Sequence, residues 1–78
     1  MNPTLPPIEV REDLTRMYQA RIAAIPDSHR RLFAPNAHML AAIREVWDEV
    51  RDKGLPHADL RTHRAAWDAA VAATGWVG

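Results

Sequence analysis

The sequence predicts an all-α fold, a small antiparallel bundle of three main helices. Three long stretches repeat apolar residues at intervals of three and four, each stretch ends at proline or glycine, and no stretch alternates apolar and polar residues as a strand would. We place the main helices at about 8–25, 36–53 and 57–74, with a short helical corner at 28–33. Because the connections are short, consecutive helices are expected to run antiparallel.

The length and composition predict one small domain. The chain has 78 residues, 47% of them apolar, which is near the lower limit for a fold supported by a single core. We assign residues 1–7, which contain three prolines, to an extended lead-in and residues 8–78 to the helical domain. The chain has no cysteine, so neither disulfides nor thiolate metal sites reinforce it.

The first predicted helix has one apolar face and ends before Pro26, which disfavours helical geometry at the preceding residue. That face carries Val10, Leu14, Met17, Tyr18, Ile22 and Ile25. Arg21 falls within the same arc. Its stem is expected to lie on the core with its head in water, and the alternative is a cation that faces a partner.

Residues 28–33 form the predicted corner, bounded by prolines on both sides. Asp27 is expected to cap this single turn of helix. We expect Leu32 and Phe33 to fill the gap between the first two long helices, which leaves Arg30 and Arg31 outside.

The central helix is the most regular of the three, and we expect the other two helices to cover its apolar face. Asn36 is the predicted N-cap and Gly54 the predicted left-handed C-terminal residue, after which Leu55 folds back on Val50. The apolar face carries Met39, Leu40, Ile43, Val46, Trp47 and Val50. Acidic residues occupy the opposite face.

The third helix is predicted to end at Gly75 in the same way. Its apolar side carries Leu60, His63, Trp67, Ala70, Val71 and Thr74. Trp76 either closes this helix or offers an aromatic anchor to another protein.

The charge balance disfavours nucleic acid and the hydropathy disfavours a membrane. Ten basic residues balance ten acidic ones, so no overall field attracts a polyanion. No apolar run reaches the roughly 18–20 residues that span a bilayer, and the first residues do not resemble a secretion signal. We predict a cytoplasmic protein, and the preference for Arg and Ala is typical of a GC-rich bacterial or phage genome.

The residues offer no assembled catalytic or metal-binding set. The four histidines are not spaced to share a helical face, and the acidic residues of the central helix point away from its core. Asp59 and His63 stand four residues apart, but no nucleophile or third ligand accompanies them. We therefore predict no catalytic residue, metal ligand or cofactor, and a structural role for His63.

A helix-turn-helix hypothesis remains as an alternative. The second and third helices flank a glycine-containing turn, and polar residues begin the third helix where a recognition helix contacts bases: His57, Arg61, Thr62 and Arg64. The acidic central helix would repel DNA, so we rank this function second.

Arg30-Arg31-Leu32-Phe33 resembles the short docking segments that bind cyclins and, more loosely, the peptides that bind bacterial sliding clamps, which insert Leu and Phe into a partner's pocket. The glutamine usual in clamp ligands is absent. We predict a non-enzymatic interaction module, an accessory, adaptor or regulatory factor that binds another protein or itself. The predicted partner-binding residues are Arg21, Arg30, Arg31 and Trp76. A small subunit of an enzyme complex is the further alternative.

Overall fold

The computed structural model describes residues 4–76, which hold four helices and no strand. They are α1 (Glu12–Ala23), α2 (Asp27–Leu32), α3 (Asn36–Asp52) and α4 (Leu60–Thr74). The predicted all-α bundle of three main helices and a short helical corner is confirmed. No helix in the described part of the chain is both long and apolar enough to cross a membrane.

The largest helix interface joins α1 to α4, and α3 makes smaller contacts with both. Tyr18 of α1 and Trp67 of α4 are fully buried at its centre, edge to face with ring centroids 5.9 Å apart. The core comprises Leu14, Tyr18, Ile22, Ala42, Ile43, Val46, Val50, Ala58, Ala66, Trp67, Ala70 and Trp76. As expected, α1 and α4 both contact α3 and bury Ala42, Ile43, Val46 and Val50 of its apolar face, but the largest interface is the one between α1 and α4.

Two helices begin later than predicted. Residues 8–11 are not helical, and the predicted lead-in extends in the structure to Arg11, whereas Met1–Pro3 lie outside the described residues. The nearly buried guanidinium of Arg11 holds this segment, donating to both carboxylate oxygens of Asp13 at 2.9 and 2.8 Å and to the Pro56 carbonyl at 3.0 Å. The hydrogen bonds from Arg11 lower the pKa of Asp13 to about 2.

The start of α4 at Leu60 rather than 57 has a local cause. Asp59 has an extended backbone, and its carboxylate accepts the Thr62 N–H at 2.9 Å, which makes Asp59 the N-cap. The predicted caps Asp27 and Asn36 are wrong. Each is the first residue of its helix and makes no side-chain cap bond, because Pro26 and Pro35 occupy the capping positions.

Both predicted glycine terminations are confirmed. Gly54 and Gly75 have φ of +66° and +73°, the left-handed geometry that side chains disfavour. Leu55 donates its N–H to the Val50 carbonyl at 3.0 Å, the backward hydrogen bond expected after such a glycine.

Several residues assigned to apolar faces are exposed. Val10, Leu40 and Leu60 lie largely in solvent, and Trp47 is only partly buried. Val10 is exposed because it precedes α1. Leu40 is exposed because the neighbouring helices cover only the middle of the apolar face of α3, and Leu40 lies at its edge. Leu60 is the first residue of α4, at the margin of the bundle.

Candidate functional site

Three of the four predicted partner-binding residues line one cleft. Arg30 and Arg31 project from α2, and Trp76 follows α4, so the cleft of about 380 Å³ lies between α2 and the C-terminal turn. Asp27, Thr74 and Gly75 complete its lining. From here on, the term corner is widened to include the first turns of α3 and the turn after α4 together with the short helix α2.

A cluster of aromatic rings joins the three parts of the corner. Centroid distances are 5.9 Å from His29 to Phe33, 6.1 Å from Phe33 to His38 and 5.6 Å from His38 to Trp76. The Trp76 indole N–H donates to the Phe33 carbonyl at 3.0 Å, and the Trp76 ring lies 6.1 Å from that of Trp67. Trp76 is 7% exposed, so it forms a wall of the corner and offers little free surface to a partner.

Leu32 and Phe33 do not fill a gap between helices, contrary to expectation. Leu32 is 76% exposed and Phe33 48% exposed. The backbone of α2 does not pack closely on any other helix of the described chain, because six residues between two prolines are too few to reach across the bundle. The corner therefore presents two large apolar side chains directly after two arginines.

The two arginines of the corner differ in their surroundings. Arg30 is paired with Asp27, and its Nε is enclosed without a hydrogen-bond partner. Arg31 is exposed and forms no ion pair with any residue from 4 to 76. The corner thus carries one free cation and one buried N–H that lacks an acceptor.

Arg21 lies elsewhere, in contact with α3. Its guanidinium donates to Glu49 at 2.6 Å and Glu45 at 3.3 Å, and Lys53 binds the same Glu49 at 2.9 Å. These bonds, first that of Lys53, lower the pKa of Glu49. The expectation for Arg21 was a stem on the core with its head in water, and the pairing of that head with two carboxylates of α3 was not anticipated.

His63 is paired with Tyr18 of α1, a partner that the sequence did not indicate. Its Nδ1 lies 2.8 Å from the Tyr18 hydroxyl, and the two residues are 1% and 0% exposed. Asp59, the expected neighbour, instead caps α4. Burial lowers the pKa of His63, with smaller contributions from the charges of Arg11 and His57, and burial raises the pKa of Tyr18.

The four residues named for DNA binding do not form one exposed row. Thr62 is buried, and Arg61 donates to the Pro6 carbonyl at 2.9 Å. His57 precedes α4 and packs against Trp47, with ring centroids 5.1 Å apart. Arg64 alone of the four is exposed on the helix surface without an ion pair among the described residues.

Comparisons with known proteins do not identify a function for this chain. No family model, curated protein or solved structure matches the chain. Among residues 4–76, no three His, Asp or Glu side chains are grouped as metal ligands would be.

Proposed function

We propose that this chain is a small non-enzymatic helical module that binds another protein through its corner. The observation that carries the proposal is the exposure of Leu32 and Phe33, the last residue of α2 and the residue after it, at a helix that the bundle does not cover. Large apolar side chains that remain exposed side by side commonly mark interaction sites, and a few such anchors supply most of the energy of an interface.

The adjacent charges define the chemistry of the partner. Arg31 is exposed and has no ion pair in the described chain, whereas Arg30 is already paired with Asp27 and its free Nε is enclosed. A carboxylate beside an apolar pocket would accept hydrogen bonds from Arg31 while Leu32 and Phe33 enter the pocket. We therefore infer a partner that presents an apolar pocket flanked by acidic residues.

A partner different from this chain fits the corner better than a second copy. In a symmetric dimer the same patch occupies both sides of the interface. The arginines would then face a surface with the same excess of arginine, and the one carboxylate that lines the cleft, Asp27, is already paired with Arg30.

Site-specific photo-crosslinking tests the proposal. A photoreactive amino acid replaces Leu32 in one variant and the exposed Arg64 on α4 in a matched control, each expressed in cells of the native source. We expect one protein to be crosslinked from position 32 and not from position 64.

The captured protein, once purified, is titrated calorimetrically with the wild-type chain and three variants. Arg31→Glu and Leu32→Ser should each weaken binding by at least about tenfold, as loss of a charge pair or an apolar anchor does, whereas Arg64→Glu should not. Equal affinity for all four chains, or crosslinking from both positions alike, would refute the role of the corner.

A further inference from the structure

A second cleft lies beside the C-terminal half of α3, whereas the corner meets the N-terminal end of that helix. Its volume is about 310 Å³. It is lined by Trp47, Val50, Arg51, Leu55, His57 and His63. We call it the Trp47 cleft, because the indole of Trp47 lies 5.0 Å from the ring of His63 and 5.1 Å from that of His57.

The buried tyrosine determines which nitrogen of His63 carries the proton. The hydroxyl of Tyr18 is sealed from solvent, and His63 Nδ1 is its only hydrogen-bond partner among residues 4–76. Buried hydroxyl protons require an acceptor, so Tyr18 donates and Nδ1 accepts. The neutral imidazole therefore carries its proton on Nε2.

Among residues 4–76, that Nε2–H has no partner. It makes no hydrogen bond to any described residue, although His63 is 1% exposed. His63, which carries this N–H without an acceptor among the described residues, is one of the residues that line the Trp47 cleft.

We propose that the Trp47 cleft binds a small aromatic carboxylate. The carboxylate accepts from His63 Nε2–H, and the arene packs between the indole and the aliphatic side chains of Val50 and Leu55. The other polar side chains at the cleft are those of His57 and Arg51, and no carboxylate of the described chain lines it. This set of donors favours an anion.

Nearby charges agree with this assignment. The charges of Arg11 and His57 act on His63, and they are opposed by that of Asp59, whose carboxylate caps α4 through its bond to the Thr62 N–H. Arg51 is paired with Asp48 at 3.5 Å and Asp52 at 3.2 Å, and all three side chains are largely exposed, so these pairs are weak and yield readily to a ligand.

Nuclear magnetic resonance of the whole chain tests the site, with benzoate as the probe and benzamide and acetate as matched controls. Benzamide keeps the ring without the charge, and acetate keeps the charge without the ring. We expect saturable benzoate shifts at the ring ¹³C–¹H signals of His63 and at the indole N–H of Trp47. Because charge-assisted hydrogen bonds are about twice as strong as neutral ones, benzamide should bind at least about tenfold more weakly. Acetate should be weaker still.

Variants decide whether the shifts report this cleft. Trp47→Leu and His57→Gln, each checked for folding by circular dichroism, should weaken benzoate binding, while His29→Gln, which removes an exposed histidine of the corner, should leave it unchanged. The corner variant Leu32→Ser should also bind benzoate normally, which separates this proposal from that of protein binding. The absence of saturable shifts, equal binding of benzamide, or unchanged binding by Trp47→Leu would overturn it.

Discussion

The hydrogen bond between Tyr18 and His63 gives the sharpest test of how the core is stabilised. Tyr18→Phe removes only the hydroxyl and leaves Nδ1 of a buried imidazole without a partner. Such an orphaned group costs about 1–3 kcal/mol. This loss is large beside the stability of about 4–12 kcal/mol expected for the whole 78-residue chain. In a domain of this size each kcal/mol lowers the melting temperature by about 4–8 °C, so a fall of roughly 5–20 °C is expected.

A double-mutant cycle isolates the bond from changes in packing. His63→Leu is close in volume, but it strands the Tyr18 hydroxyl and should cost a similar amount. The chain with both changes has no orphaned polar group, so its cost should fall below the sum of the two by about 1 kcal/mol or more.

Urea unfolding followed by circular dichroism provides the measurement, with equal m-values as the condition for comparing the four chains. His29→Leu, a change at an exposed histidine, is the control and should alter stability by less than about 0.5 kcal/mol. If Tyr18→Phe leaves the free energy of unfolding unchanged, or if the two substitutions are strictly additive, the bond contributes nothing to stability. Either result would also remove the reason for placing the proton of His63 on Nε2.

Four other predictions concern stability. Since the folded pKa of His63 lies below 6.5, the unfolded chain binds more protons; stability measured by urea titration should fall as pH drops from about 6.5, and less so in His63→Leu. Gly54→Ala should cost about 1–2 kcal/mol in the same assay, because φ is +66° and only strain, not a clash, opposes the methyl group. Arg21→Gln should cost at most about 1 kcal/mol at low salt and nearly nothing at 1 M salt, where exposed ion pairs are screened. Trp67→Ala should cost about 3–5 kcal/mol, because Trp67 is buried in the core. Trp47→Ala should cost clearly less, because Trp47 is only partly buried, and a larger loss at Trp47 than at Trp67 would contradict a core centred on Trp67.

The features that were predictable from the sequence depend on neighbouring residues. Helical periodicity and the prolines located all four helices, and Gly54 and Gly75 marked two terminations because left-handed geometry favours glycine wherever it occurs. Asp27 and Asn36 were wrongly predicted as caps although they lie beside the helix starts. The proline before each of them takes the N-cap position, so the polar residue becomes the first residue of the helix.

The features that were missed depend on residues far apart in the chain. Tyr18 and His63 are separated by 45 positions, as are Arg11 and Pro56, and no spacing rule connects them. A helical wheel also assigns Leu40 to the apolar face without indicating how much of that face a neighbour covers. Burial at the margins of a helix therefore depends on how its neighbours pack against it, which a helical wheel does not show.

The candidate site was predictable in part for the same reason. Arg30 and Arg31 are adjacent in sequence, whereas the approach of Trp76 requires the complete fold. Full burial of a Leu or Phe side chain is worth about 1.5–3 kcal/mol, which is large beside the total stability of so short a chain. Two prolines nevertheless confine α2 to six residues and leave Leu32 and Phe33 exposed, so the chain forgoes this stabilisation at the point where a partner could supply it.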